Sequence, residues 1–351
     1  MSLLPIGGRL TLTDVVLSAL PSFAMSVLLV PKGALVKMDR PRRTMFWKAH
    51  EKCSGGDCQV AWDYVCLLRS EGGLGIVDLG LQNKCLPLKV LHSLFSGRDS
   101  PWTRFLSLPP PPPPATIADA LGDGGIEIPL THRLTASASS EIKFVHACLS
   151  RITLTMMPDT RTIALGPFAS FNTGDVNRGL HSSRCIVPGQ DINWYFFAPL
   201  KVRVFLWILR LQKTRTRVML HRLGCVPSLG CPFCPGHTES ITHLFVCCPC
   251  LWPLWNIVSP SGRLHNGDDL PALIDGLSGD LPQMHKKARN TAILALLWSI
   301  WKSQNRMVFD TVHMPTAGVI AMVVDHLRLW VVRASARIDM GPLLAWCQSI
   351  S

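Results

Sequence analysis

Apolar residues in this chain recur mostly at helical spacing, and prolines and glycines cut the pattern into pieces. In the first hundred residues this predicts a helix over Leu12 to Leu20 with a break at Pro21, then a second apolar stretch ended by Pro31. A basic helix follows from Ala34 to about Lys48, and a longer one runs from Asp78, as N-cap, to Phe95. Pro87 is expected to kink or split that last helix. Between them, "SEGGLGIVDLG" reads as a glycine-bearing turn: it lacks the G-x-G-x-x-G spacing and the following Lys-Ser/Thr of a phosphate-binding loop.

The pattern then fades. Six prolines at 109–114 form a polyproline II spacer, with no Arg or Lys beside it to mark a docking peptide. From Ala115 to about Gln190 Gly, Ser, Thr, Pro and Asp are frequent, so a loosely structured connector is expected, with one helix near Glu141 to Leu149. Order returns at about Trp194. Beyond residue 283, Ile293, Leu296, Leu297, Ile300 and Trp301 fall on one helical face, and a second helix is expected from about Ala317 to Arg337, with Val319, Val323, Leu327, Trp330 and Val331 as its stripe. Trp298, Trp301 and Trp330 fit a helix interface better than a base-stacking platform. The sections are thus 1–105, 106–190, 191–260 and 283–345, and the fold class expected is mainly α, with a Pro-rich linker.

Composition narrows the classes of function. Hydrophobic residues make up 48% and charged residues 17% of the 351, which argues against global disorder. Lys and Arg outnumber Asp and Glu by 35 to 23, a net charge of +12 that points toward polyanionic partners. The longest apolar run, Val15 to Val30, is interrupted by Ser18, Pro21, Ser22 and Ser26 and falls short of the roughly 20 residues of a spanning helix. Arg9 and Asp14 do not make the charged flank of a secretory signal. An intracellular protein of nucleus or cytoplasm, without a membrane partner, is expected. The count of 13 Cys is odd, and Cys225, Cys231, Cys234, Cys247, Cys248 and Cys250 crowd together, which in a reducing compartment favours metal ligation over disulfides.

That cluster follows a basic stretch, "KVRVFLWILRLQKTRTRVMLHR", in a region with no Asp or Glu from Ile192 to Thr238. Read as an apolar helix, it buries Val202, Phe205, Leu206 and Leu209 and sets Lys201, Arg203, Arg210, Lys213, Arg215, Arg217 and Arg222 around them. Those cations either extend into water or lie along a phosphate backbone. Next, "CPFCPGHTESITHLFVCCPC" places Cys231 and Cys234 in a C-x2-C knuckle, whose turn points both sulfurs the same way. His243 follows, then Cys247 and Cys248. Helical spacing favours Cys247 as fourth ligand, whereas Pro249 drives Cys248 into an extended conformation from which it can reach back. His237, Cys250 and Cys225 are further candidates, while Cys53 and Cys58 read as ordinary free thiols. Three sulfurs and one imidazole close a tetrahedral Zn shell, so a small irregular zinc-binding module with a structural metal is expected.

Three blocks, "IGGRLTLTDVVLSALPSFAMSVLLVPKGALVKMDRPRRTMFWK", "VAWDYVCLLRSEGGLGIVDLGLQNKCLPLKVLHSLF" and "APLKVRVFLWILRLQKTRTRVMLHRLGCVPSLGCPFCPGHTESITHLFVCCPCLWPLW", resemble the C-terminal part of plant non-LTR retrotransposon polyproteins. The first two are similar to the thumb and connection region, the third to the reverse-transcriptase zinc-binding domain. The tail "ILALLWSIWKSQNRMVF" is similar to the helical segment that follows it. The resemblance implies Cys231, Cys234, His243 and Cys248 as Zn ligands, choosing Cys248 over Cys247. It also implies that the palm, with its paired Mg-binding Asp residues, precedes these blocks. Asp268 and Asp269 in "HNGDDL" are no substitute, since neither flank reads as a strand. With no endonuclease or RNase H segment seen either, no enzyme activity is expected. Where the family has two Trp, this chain has Val90 and His92 in the helix that Pro87 interrupts, so the N-terminal section is expected to pack weakly. The function expected is non-catalytic binding of RNA or DNA through Lys201, Arg203, Arg210, Lys213, Arg215 and Arg217; the alternatives are a protein-interaction scaffold or a remnant without a selected role.

Overall fold

The computed structural model describes residues 4–49, 53–95, 121–122, 125–126, 136–149, 173–181, 197–258, 270, 286–334 and 339–350. The chain forms two compact units, one of Met1–Lys84 with His181–Ser351 and one of Cys85–Leu180. The polyproline run and Asp268–Asp269 lie outside the described residues.

The first unit opens with α1 (Ile6–Thr11), which continues into a π-helical turn over Leu12–Leu17, so the predicted helix starts earlier and is wound more loosely than expected. After it come α2 (Ser22–Val27), α3 (Lys32–Trp47), α4 (Trp62–Val65) and the start of α5 (Leu79–Phe95), whose residues from Cys85 on belong to the second unit. Pro5, Pro21 and Pro31 stand directly before α1, α2 and α3; the ring offers no acceptor for a side-chain cap but holds φ near the helical value. Asp78 caps α5 as predicted, its Oδ1 accepting from the Leu81 N–H at 3.0 Å. The helix runs through Pro87 without splitting, as α3 does through Pro41.

Leu10, Phe46, Trp47, Trp62, Val65, Leu74 and Ile76 form the core here. Arg42, 1% exposed, is held inside by Asp39, the Ser18 hydroxyl and the Val77 carbonyl, with its guanidinium 5.5 Å from the Trp62 ring centre. The glycine-bearing stretch is a tight turn in which Gly72 and Gly75 take left-handed φ of 89° and 74°. A Cβ on Gly73 would meet the Leu67 carbonyl oxygen at 2.1 Å. The turn serves backbone packing and presents no phosphate cradle.

In the second unit, β1 (Leu121–Gly122) and β2 (Gly125–Ile126) make a short antiparallel pair. Helices α6 (Ala136–Leu149) and α7 (Thr173–His181) follow. The first starts five residues before the predicted Glu141, and the second had no counterpart in the sequence reading. The pair Asp175–Arg178 lies one turn apart on α7.

The first unit then resumes with α8 (Leu200–Arg210), α9 (Arg217–Arg222), α10 (Trp252–Val258), α11 (Lys286–Phe309), α12 (Thr316–Val331) and α13 (Gly341–Ile350). The last three pack on one another and, with α10, bury Ile293, Leu296, Leu297, Ile300, Val323, Leu327 and Leu343. Trp330 is 2% exposed against the His326 ring, so it belongs to this core. Helix α8 is apolar on both sides. Val202, Phe205, Leu206 and Leu209 join the C-terminal core, while Val204, Trp207 and Ile208 join that of α1, α3 and α4. The Trp207 indole N–H donates to the Gly72 carbonyl at 2.7 Å. Gly7 lets α1 close on α8, since a Cβ there would stand 2.6 Å from the Lys201 nitrogen. The N-terminal section therefore has a packing partner within this chain. Among the described residues no helix is long and apolar enough to cross a membrane.

Candidate metal centre

The basic stretch is not one helix. Helix α8 stops at Arg210, and Gln212 takes a left-handed φ of 57°. The Lys213 N–H bonds back to the Ile208 carbonyl and the Gln212 N–H to Leu209, a Schellman ending. The apolar pattern lapses over Gln212–Thr216, so nothing in that stretch supports a continued helix. The chain turns there and α9 begins at Arg217.

That turn brings α9 onto the cysteine-rich loop. The Glu239 N–H bonds the Leu229 carbonyl and the Cys231 N–H the His237 carbonyl, closing a hairpin-like knuckle around Cys231 and Cys234. The Ser240 hydroxyl accepts from the His243 N–H at 3.0 Å and starts a π-helical turn, His243–Cys247, which buries His243. Cys248 ends that turn with φ −70° and ψ 115°, the extended conformation that Pro249 demands of its predecessor.

These three devices bring Cys231, Cys234, His243 and Cys248 together, with ligand atoms all within 4.8 Å of one another. Cys231 and Cys248 sulfurs are 3.9 Å apart, Cys234 and Cys248 3.5 Å, and Cys234 Sγ lies 3.0 Å from His243 Nε2. Around a tetrahedral Zn with bonds of about 2.3 Å to sulfur, neighbouring sulfurs stand about 3.8 Å apart, so the donor set fits the ion. Cys231 and Cys248 are each 1% exposed. The Cys248 thiol at hydrogen-bond range holds the Cys231 thiol down to about 5 against the cost of burial, which favours the thiolate a metal needs. Cys248 is pushed up in return.

Cys225, Cys247 and Cys250 are exposed, and none belongs to the cluster. His237 stacks its ring on that of His243 at 5.2 Å. Cys53 and Cys58 face each other at 3.3 Å, with the Cys58 thiol raised to about 11 by burial and then by Cys53, and no third donor joins them among the described residues.

Glu239 escaped the sequence reading, since a lone Glu after a knuckle carries no signal. It is fully buried beside the module, and its Oε1 accepts from the Arg217 N–H at 2.7 Å and from Gln304 Nε2 at 2.9 Å. It thereby ties the loop to α9 and α11. Arg217 donates from Nη1 to the Gly230 carbonyl at 2.8 Å.

The remaining cations spread around α8. Lys201 and Lys213 are exposed; Arg203, Arg210 and Arg215 are half-buried. Arg203 Nε donates to the Ala198 carbonyl and Arg215 Nη2 to that of Asp57. Burial, then Arg69 and Arg333, lower the Arg203 pKa; burial, then Lys201 and Lys302, lower that of His326. Distant segments therefore add Arg69, Lys302 and Arg333 to the positive field, which a linear reading of the basic stretch misses.

Residues 176–255 match the family model described as zinc-binding in reverse transcriptase. The chain is also similar to an Arabidopsis thaliana protein named "Putative ribonuclease H protein", at 37% identity over an alignment covering 85% of this chain and 60% of that one. The chain thus spans about 60% of the length of that relative. No solved structure matches it significantly. Residues 176–255 thus match the zinc-binding domain of reverse transcriptases, within a chain similar to that plant protein.

Proposed function

We propose that this chain is a zinc-stabilised nucleic-acid-binding protein. Cys231, Cys234, His243 and Cys248 hold one Zn, whose closed shell leaves no position for a reacting water, so the metal fixes the loop and performs no chemistry. In this reading Arg217 serves the loop through Gly230, and phosphates are met by Lys201, Arg203, Arg210, Lys213 and Arg215. The observation that carries it is the placement of Lys201, Arg203, Arg210, Lys213 and Arg215 on and just beyond α8, in a segment without a carboxylate from Ile192 to Thr238. Each neutralised phosphate of a single strand contributes about −0.7 to the slope of log affinity against log salt.

The test is fluorescence anisotropy of the full chain with a single-stranded oligonucleotide between 50 and 300 mM salt. Changing Lys201, Lys213 and Arg215 together to Gln should flatten the slope by about 2. Salt-indifferent binding, or a slope unchanged by the triple substitution, would overturn the reading. A protein-docking role is the second reading, favoured by one observation: Val15, Leu20, Phe23, Leu28 and Leu29 are each more than 60% exposed at the N-terminal end.

A further inference from the structure

Beside α8 lies a cavity of about 310 Å³. Its aromatic wall is built by Trp298 and Trp301 of α11, both half-buried, with Phe205 packed against both rings at 5.2 and 5.9 Å. Phe309, 58% exposed, adds a third ring from the end of α11. Lys201 and Arg215 also line it, and among the described residues no carboxylate does. Two of its lining residues carry a buried oxygen with no hydrogen-bond partner among the described residues: Thr214 Oγ1, in a residue 3% exposed, and Gln59 Oε1. Unpaired buried polar atoms are costly, and a ligand that pairs them recovers that cost.

Aromatic rings, unpaired hydrogen-bonding groups and cations with no opposing acid match the three parts of a nucleotide: base face, base edge and phosphate. The volume sits at the low end of the roughly 300–1,000 Å³ typical of small-ligand sites, which suits an unstacked base and not a duplex. We propose that this cavity takes an unpaired base of single-stranded nucleic acid. The base lies against Trp298 and Trp301, its edge pairs with Thr214 and Gln59 once their buried oxygens turn toward it, and its phosphate is met by Lys201 and Arg215. The proposal rests on the nucleic-acid reading above and specifies what part of the ligand enters the fold.

The test uses the full zinc-loaded chain and three eight-nucleotide probes, made in DNA and in RNA, of which the two single strands carry equal charge. One is a single strand carrying 2-aminopurine, one the same strand with every base removed, and one the 2-aminopurine strand within a duplex. The base-bearing single strand should bind on the order of tenfold more tightly than the abasic backbone, with its 2-aminopurine emission quenched. Trp301→Leu, and the shape-conserving Thr214→Val, should each remove the quenching and most of that advantage while leaving the salt slope unchanged. Equal, salt-dependent binding of the base-bearing and abasic strands, without quenching, overturns the slot but spares the electrostatic interface. Binding of neither overturns both and leaves the aromatic wall to a protein side chain.

Discussion

Glu239 shows how one buried side chain sets a pH response. Burial pushes its pKa up to about 7, against the Arg217 backbone N–H and the Gln304 amide, which favour the carboxylate. The folded state thus holds a proton that the unfolded chain, titrating near 4.5, has released. The associated stability is full below about pH 4.5 and is lost as pH rises through about 7, on the order of 3 kcal/mol. Glu239→Gln keeps the accepting Oε1 and cannot ionise. In urea titrations with Zn saturating, the variant should gain on the wild type by up to a few kcal/mol between pH 5 and 8; parallel curves would show that Glu239 titrates normally. Comparing the two proteins cancels the separate acid-induced loss of metal. At this scale the Cys231–Cys234 knuckle was legible in C-x2-C, whereas spacing left Cys247 and Cys248 open and the family resemblance chose Cys248, the one that the structure brings into the cluster. Glu239 was not legible, because its partner Gln304 lies 65 residues away.

Among the elements, α8 shows what periodicity does and does not reveal. Its six consecutive buried positions, Val204–Leu209, follow from apolar residues on every side, the mark of a helix packed all round. The spacing found the face of Val202, Phe205, Leu206 and Leu209 but gave no sign that Trp207 meets a carbonyl in the N-terminal section. Trp207→Leu should cost roughly 3 kcal/mol or more in chemical denaturation, from the lost ring volume and the orphaned Gly72 carbonyl. The end of α8 was missed for a different reason: Schellman endings are read from Gly, and here Gln212 occupies the left-handed position. Gln212→Gly should therefore raise stability by roughly 1 kcal/mol, measured the same way. The long C-terminal helices were well anticipated because their apolar stripes repeat over several turns. The π-helical turns at Leu12–Leu17 and His243–Cys247 have no periodic signature of their own.

Over the whole molecule, the mainly helical class with a zinc module was visible in the sequence, whereas the grouping of its sections was not. Composition separates 1–105 from 191–260, yet Met1–Lys84 and His181–Ser351 are one compact unit. Long-range packing through α8 leaves no trace in local pattern. One outcome follows for metal removal. Chelation should lower the Tm of the unit as a whole, without a separate small transition for residues 231–248, because the Cys231 and Cys248 core is continuous with α8 and α11. A resolved low-temperature transition followed by an unchanged main one would show the module to be energetically independent.

The bond between Trp207 and Gly72 joins residues 135 positions apart. A ribosome adding about 5–20 residues per second needs roughly 7–27 seconds to travel that distance. Throughout that interval the nascent N-terminal section has emerged but has no α8 to cover Trp47, Trp62 and their neighbours. Its assembly waits for α8, and until then its apolar surface stays uncovered.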